Sequence, residues 1–247
     1  LASDLLMACT TPTRASSAIS AVATAEGVIA EAQKLAAETW KAKKTFFLVN
    51  GTTCGNEAMV LSSVKEGEKI IVPRNVHKSV LMGLILSGAT PVYVMPEYST
   101  KWQMWGGVTP ETIEKAFAET PDAKAVLLVS PTYYGLCSDL QAIAEICHCH
   151  NAALLVDEAH GSHLYFSEQL PLGALESGAD ACAQSIHKTA GSFTQSSFLS
   201  LGSGRLDEAR VAANLQMVQS TSPSYLLMAS LDAARRGMAL HGKERME

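Results

Sequence analysis

The chain has 247 residues, 47% hydrophobic and 17% charged, which is enough for one large domain with a sizeable core and excludes an unfolded polar chain. Its formal net charge of -5 leaves no basic footprint for nucleic acid, and no run approaches the ~20 apolar residues of a membrane helix. Six cysteines scattered through a core-rich chain read as reduced thiols, hence as a cytoplasmic protein, or a plastid one if a leader has been removed.

In chain order, residues 8–25 are rich in Ala, Ser and Thr, with Arg14 and no acid up to Ala25. That composition faintly resembles a transit peptide, although a folded helix fits the rest of the chain better. Residues 26–44 are strong helix formers, with Val28, Ile29, Leu35, Ala36 and Trp40 near one face. Residues 45–49 predict a strand. A turn, Asn50-Gly51-Thr52-Thr53-Cys54-Gly55-Asn56, leads to a helix from Glu57 to about Val64. A strand, a glycine-containing turn and a helix N-terminus form a plausible phosphate site, because unpaired backbone N–H groups attract anions there. The spacing is not that of a Walker loop, and many such turns bind nothing.

Residues 69–72 predict the next strand. Pro73-Arg74-Asn75-Val76 then leads to His77 and a helix to about Leu86, followed by a strand at 92–95. Residues 96–109 predict a loop carrying Trp102, Met104 and Trp105, long enough to be functional. Thr109 and Pro110 open a helix as cap and first residue. An apolar strand at 125–129 ends in Ser130-Pro131-Thr132-Tyr133-Tyr134-Gly135, and Ser138-Asp139 opens a helix to about His150. Within it, Cys147-His148-Cys149-His150 looks like a metal cluster, but neighbours on a helix point in different directions and cannot close one tetrahedral site. A strand at 153–156 delivers Asp157-Glu158-Ala159-His160-Gly161. Short strands at 179–184 and 197–201 flank a lysine loop, and helices at about 206–219 and 224–241 follow.

Short apolar strands alternating with helices predict an α/β fold, a mainly parallel sheet of about seven strands covered by helices on both faces. Ligands in such sheets bind beyond the carboxyl ends of the strands. The 52–56 turn, His77, Asp157 and Lys188 all fall at such ends. Lys188 sits among small and hydroxylated residues directly after His187. If it is buried, it loses its proton more easily and becomes a nucleophile toward a carbonyl. A solvated surface lysine is the more ordinary reading of a single such residue.

The motifs taken together change that weighting. Ser185-Ile186-His187-Lys188 with Gly191-Ser192 and Thr194-Gln195-Ser196-Ser197 resembles the cofactor-attachment motif of the class I ornithine/lysine/arginine decarboxylases. Phe47-Leu48-Val49-Asn50-Gly51-Thr52, Pro73-Arg74-Asn75-Val76-His77-Lys78-Ser79, Asp157-Glu158-Ala159-His160-Gly161 and Ser220-Thr221-Ser222-Pro223-Ser224-Tyr225 resemble the same family in the same order. The likeness runs over nearly the whole chain. It implies the major domain of an aspartate-aminotransferase-like, pyridoxal 5'-phosphate (PLP) dependent enzyme, spanning residues 1–247, without the family's upstream segment and small C-terminal domain.

The resemblance also implies roles. Lys188 would hold PLP as a Schiff base, and Asp157 would face the pyridine nitrogen and keep it protonated. The alternative for Asp157 is a helix cap. His77 would stack on the ring, or else cap the following helix, a task Asn75 could equally perform. Thr52, Thr53, Cys54 and Ser185 would approach the phosphate, Cys54 through its N–H alone because a thiol is a poor donor. His187 would lie near the phosphate or the substrate carboxylate, Ala159 beneath the ring, and His160 beside the cofactor. No metal is implied. The implied function is decarboxylation of arginine or lysine, less readily ornithine, to CO2 and a polyamine-pathway amine. Another PLP enzyme of this fold, an aminotransferase or acyl-condensing synthase, is the second reading, and a truncated non-catalytic partner subunit the third. The fold implies a homodimer or larger, with which the Ala-rich residues 1–40 and the tryptophans of 96–109 agree.

Overall fold

Short apolar runs recur along the chain and build one sheet. The computed structural model describes residues 25–247; Cys9 and the helix expected before residue 25 lie outside the described residues. The strands are β1 (Lys44–Leu48), β2 (Lys69–Pro73), β3 (Thr90–Val94), β6 (Ala125–Val129), β7 (Ala153–Asp157), β8 (Ala181–Gln184) and β9 (Ser197–Leu201). Their order is β1-β9-β8-β7-β6-β2-β3, and β9 alone runs against its neighbours β1 and β8. Residues alternate strictly between the two faces of a strand, and in β6 Val126 and Leu128 join one apolar cluster while Ala125 and Leu127 join the other.

Both faces are covered by helices, as such strands require. Helices α1 (Gly27–Thr39), α4 (Pro110–Glu119), α5 (Leu140–Cys149) and α8 (Tyr225–Met246) bury Ile29, Phe117, Ile143 and Met228 on one side. Helices α2 (Gly51–Ser63), α3 (Lys78–Ser87) and α7 (Glu208–Val218) bury Met59, Val80 and Leu215 on the other. Trp40 packs edge-on against Phe166 and Phe198, at 5.2 and 5.3 Å between ring centres, and its indole N–H donates to the Ser162 carbonyl. Among the described residues no helix is long and apolar enough to cross a membrane.

Three local expectations change. The turn expected at 50–56 is helical from Gly51 onward. Its small residues let α2 lie close on the sheet: a Cβ on Gly55 would meet Leu48 Cδ1 at 2.9 Å and Ala183 Cβ at 3.1 Å. Tertiary contact here overrides the low helix propensity of Gly and Thr. The stretch at 96–109 contains a small hairpin, β4 (Tyr98–Ser99) against β5 (Met104–Trp105), with Tyr98 and Trp105 rings 4.8 Å apart. The lysine loop carries one helical turn, α6 (Ile186–Thr189). The capping expectations at Thr109 and Asp139 match the hydrogen bonds they accept from Thr112 and Ala142.

The chain steps outward from β2 to β3, then returns past β2 to β6. That reversal opens a crevice beyond the carboxyl ends of β2, β6 and β7.

Candidate active site

A cavity of about 790 Å³ lies at that crevice. Its lining includes Thr52, Thr53, His77, Asp157, Ala159, His160, Ser185, His187 and Lys188. Residues far apart in the chain thus meet around one space. Cys54 is the exception among the expected cofactor residues. Its thiol donates to the Gly51 carbonyl and packs into the apolar cluster beneath α2, where burial pushes it up to about 12. A first-turn residue of a helix that faces the sheet points inward, so this thiol does not reach the cavity.

The phosphate-facing end is built by α2. Asn50 makes no side-chain cap, and the Gly51 N–H donates to the Gln195 carbonyl at 2.8 Å. The next first-turn amides belong to Thr52 and Thr53, at the positive end of a 13-residue helix. The Thr52 hydroxyl bonds those of Ser185 and Ser197, tying α2 to the start of α6 and to β9. The His187 Nδ1–H donates to the Ser196 carbonyl at 2.9 Å, which ties the ring to the start of β9.

Asp157 ends β7 and does not cap a helix. Its carboxylate accepts from Asn56 Nδ2 at 2.7 Å and from the Ala159 N–H at 3.2 Å. It is 3% exposed and makes no ion pair among the described residues. Burial raises its carboxyl above the usual range, opposed by the Asn56 and Ala159 donors and then by His77 and Lys188. His77 is the N-cap of α3: its Nδ1 accepts the Ser79 N–H at 3.2 Å. Capping and lining the cavity are therefore combined in one side chain, and Asn75 instead donates to the Gly106 carbonyl.

The expectation of a buried Lys188 is not met. The side chain is exposed to the cavity, because the small residues around α6 do not cover it. Its Nζ stands 3.4 Å from His160 Nε2. Burial, and after it the Lys188 charge, push His160 below the usual histidine range. Tyr133 meets the His160 ring edge-on at 5.8 Å.

Sequence reasoning missed Asn56, Ser79, Tyr133 and Tyr134. Asn56 lies four residues after Thr52, one turn along the same helical face, but starting the helix at Glu57 hid that spacing. The tyrosines follow the carboxyl end of β6, which was itself the available signal. The Cys147–His150 run disperses: Cys147 is in the core, His148 pairs with Asp180, Cys149 is exposed, and His150 stacks on Phe117.

The geometry suits PLP: a buried carboxylate with no ion pair among the described residues, a lysine amine in the same cavity, and hydroxyls with a helix N-terminus beside them. The family model for the Orn/Lys/Arg decarboxylase major domain matches residues 12–247.

The chain belongs to this decarboxylase family.

An arginine decarboxylase of Halalkalibacterium halodurans is 49% identical over 218 residues, covering 88% of this chain and 44% of the relative. One from Bacillus subtilis is 45% identical over 222 residues, covering 90% and 45%. The solved lysine decarboxylase A from Pseudomonas aeruginosa superposes with a TM-score of 0.79 at 29% identity, over 91% of this chain and 33% of that one. This chain thus spans less than half the length of the curated relatives it matches.

Proposed function

We propose that the protein is a PLP-dependent decarboxylase of a basic amino acid, with arginine the first substrate to test. The observation that carries the reading is the convergence of Lys188 and Asp157 on one cavity, within a chain of this family. Arginine ranks first because relatives named arginine decarboxylase reach 45–49% identity, whereas a lysine decarboxylase relative reaches 31%.

PLP, when bound, supplies an electron sink for the pair left behind as the substrate carboxylate departs as CO2. The chain's own residues do the rest. Lys188 offers the amine that holds the cofactor's aldehyde. Asp157 offers a carboxylate to the ring nitrogen, and the Asn56 and Ala159 donors oppose the effect of burial on that carboxylate. His77, at the tip of α3, presents its ring to the cavity. Thr52, Thr53 and Ser185 offer hydroxyls and amides to the phosphate. Loss of CO2 must be balanced by a proton delivered to Cα. Lys188 Nζ and His160 Nε2, 3.4 Å apart, can hold one proton between them and release it there.

The test is an assay of the PLP-loaded protein with arginine, lysine and ornithine, following CO2 and the amine product. Arginine is expected to turn over fastest. A protein that carries PLP on Lys188 yet releases no CO2 from any of the three overturns the reading.

A further inference from the structure

Asn56 lies inside α2 and is 1% exposed; Ser79 lies in the first turn of α3 and is fully buried. Neither belongs to the groups expected to touch the cofactor's ring. Together they connect two that do. The Asn56 amide donates one N–H to Asp157 Oδ2 at 2.7 Å and the other to Ser79 Oγ at 2.9 Å. Ser79 Oγ stands 2.8 Å from His77 Nδ1, and the Ser79 backbone N–H donates to the same nitrogen at 3.2 Å.

The directions of these bonds are determined by chemistry. A backbone N–H can only donate, so His77 Nδ1 carries no proton and the neutral ring bears its hydrogen on Nε2. Ser79 Oγ already accepts from Asn56, which leaves its O–H to point at Nδ1. Turning the Asn56 amide over would set its oxygen against the Asp157 carboxylate, so that orientation is excluded. Asn56 Oδ1 has no partner among the described residues, so the two donated bonds govern how the side chain sits.

We propose that Asn56 and Ser79 are positioning residues: one donor chain from Asn56 orients the Asp157 carboxylate on one branch and, through the Ser79 hydroxyl, reinforces on the other the Nε2–H tautomer of His77 that the Ser79 backbone N–H favours. The proposal rests on the PLP reading for its purpose, but its geometry stands without it. The chain couples three elements, α2, the end of β7 and the start of α3, so that the carboxylate and the imidazole are set by the same amide. The charged and titratable groups that face Asp157 are His77 from the start of α3 and Lys188 from α6, and neither donates to it in the way Asn56 does.

Two variants test this. Asn56→Leu keeps the branched outline of the side chain and removes both donors. Ser79→Ala removes one oxygen while leaving the backbone cap of His77, and it serves where the first variant fails to fold. The first measurement needs no cofactor: nitrogen-15 spectra of histidine-labelled protein, with His77 assigned by comparison with His77→Gln. The parent is expected to show a bare Nδ1 and a protonated Nε2, and both variants to lose part of that preference. The second is the carbon-13 titration of the Asp157 carboxyl in unloaded protein. Its midpoint is expected to rise in Asn56→Leu and to stay nearer the parent in Ser79→Ala. The third is PLP retention, expected to weaken about tenfold or more in Asn56→Leu, as loss of one hydrogen bond to a charged group implies. A parent His77 protonated on Nδ1, or a tautomer and an Asp157 midpoint unmoved in folded variants, overturns the proposal. If the tautomer and midpoint behave as expected but the parent takes up no PLP on Lys188, it is the functional reading that fails.

Discussion

Lys188 and Asp157 illustrate how unlike surroundings divide the work of one cavity. Asp157 is nearly sealed from solvent at the end of a central strand, held by the donors of Asn56 and Ala159, whereas Lys188 stands open on a single helical turn beside His160. A carboxylate in that position serves by charge, so Asp157→Asn is expected to keep the fold, and much of its PLP, while losing activity by orders of magnitude. Each tenfold loss corresponds to about 1.4 kcal/mol of transition-state stabilisation. Near-normal turnover in folded Asp157→Asn would make the residue structural. The amine at Lys188 serves by bond formation. Borohydride treatment of the PLP-loaded protein is therefore expected to fix the cofactor on Lys188, and a mass-mapped adduct on any other lysine would refute its role.

At the scale of elements, Glu158 ties β7 to the segment after it. Its Oε1 accepts the Ala174 N–H, and its Oε2 accepts from the Tyr165 hydroxyl and Gln184 Nε2, all at 2.7–2.9 Å and without solvent. Burial outweighs these donors and raises its carboxyl from 4.5 to about 7. The folded protein then binds the Glu158 proton more tightly than the unfolded chain does. The resulting stability is full below about 4.5 and is lost as pH rises through about 7, with a slope of at most ~1.4 kcal/mol per pH unit. Thermal midpoints of the parent and Glu158→Gln, compared from pH 5 to pH 8, measure it. The parent should lose more than the variant over that range, and parallel curves would contradict the raised value. The closeness of α2 to the sheet makes a second element-level expectation. Gly55→Val must push against Leu48 and Ala183, a strain of about 1–3 kcal/mol, and should weaken PLP binding at the same time because Thr52 and Asn56 ride on the same helix. Calorimetry and cofactor titration of this one variant should therefore move together.

For the molecule as a whole, the outer face of α3 is the conspicuous surface. Ile85 is 71% exposed and Leu86 60%, and Met82 is exposed beside them. Trp102 and Trp105 of the 96–109 segment are exposed as well, although Trp105 also lines the cavity. Apolar side chains grouped on one helical face, as Met82, Ile85 and Leu86 are on α3, mark an interaction surface more often than free solvent. The family resemblance supplies an occupant, a second copy of the chain, so light scattering at micromolar concentration should give a dimer or larger species. Ile85→Glu with Leu86→Glu should reduce its mass. A clean monomer that still decarboxylates would refute a site shared between subunits.

Much of this architecture was legible along the chain. The strands at 125–129 and 197–201, the caps Thr109 and Asp139, and the mainly parallel sheet follow from short-range physics: five-residue apolar runs, hydroxyl or carboxylate caps, and proline at a helix start. The order of motifs likewise singled out Lys188, Asp157 and His77, which the fold brings to one cavity. Other features depended on contacts between distant segments. The start of α2 at Gly51 depends on how closely the helix meets Leu48 and Ala183. The exposure of Lys188 depends on what fails to cover it, and the turning of Cys54 away from the cavity depends on which helical face meets the sheet. The donor chain through Asn56 and Ser79 has no local signature, since its partners lie 23 and 101 residues from Asn56. Local sequence sets which backbone each stretch prefers and which chemistry it carries. Only packing decides which of those groups share a space, because burial and hydrogen-bond direction belong to pairs of segments that the chain itself does not place side by side.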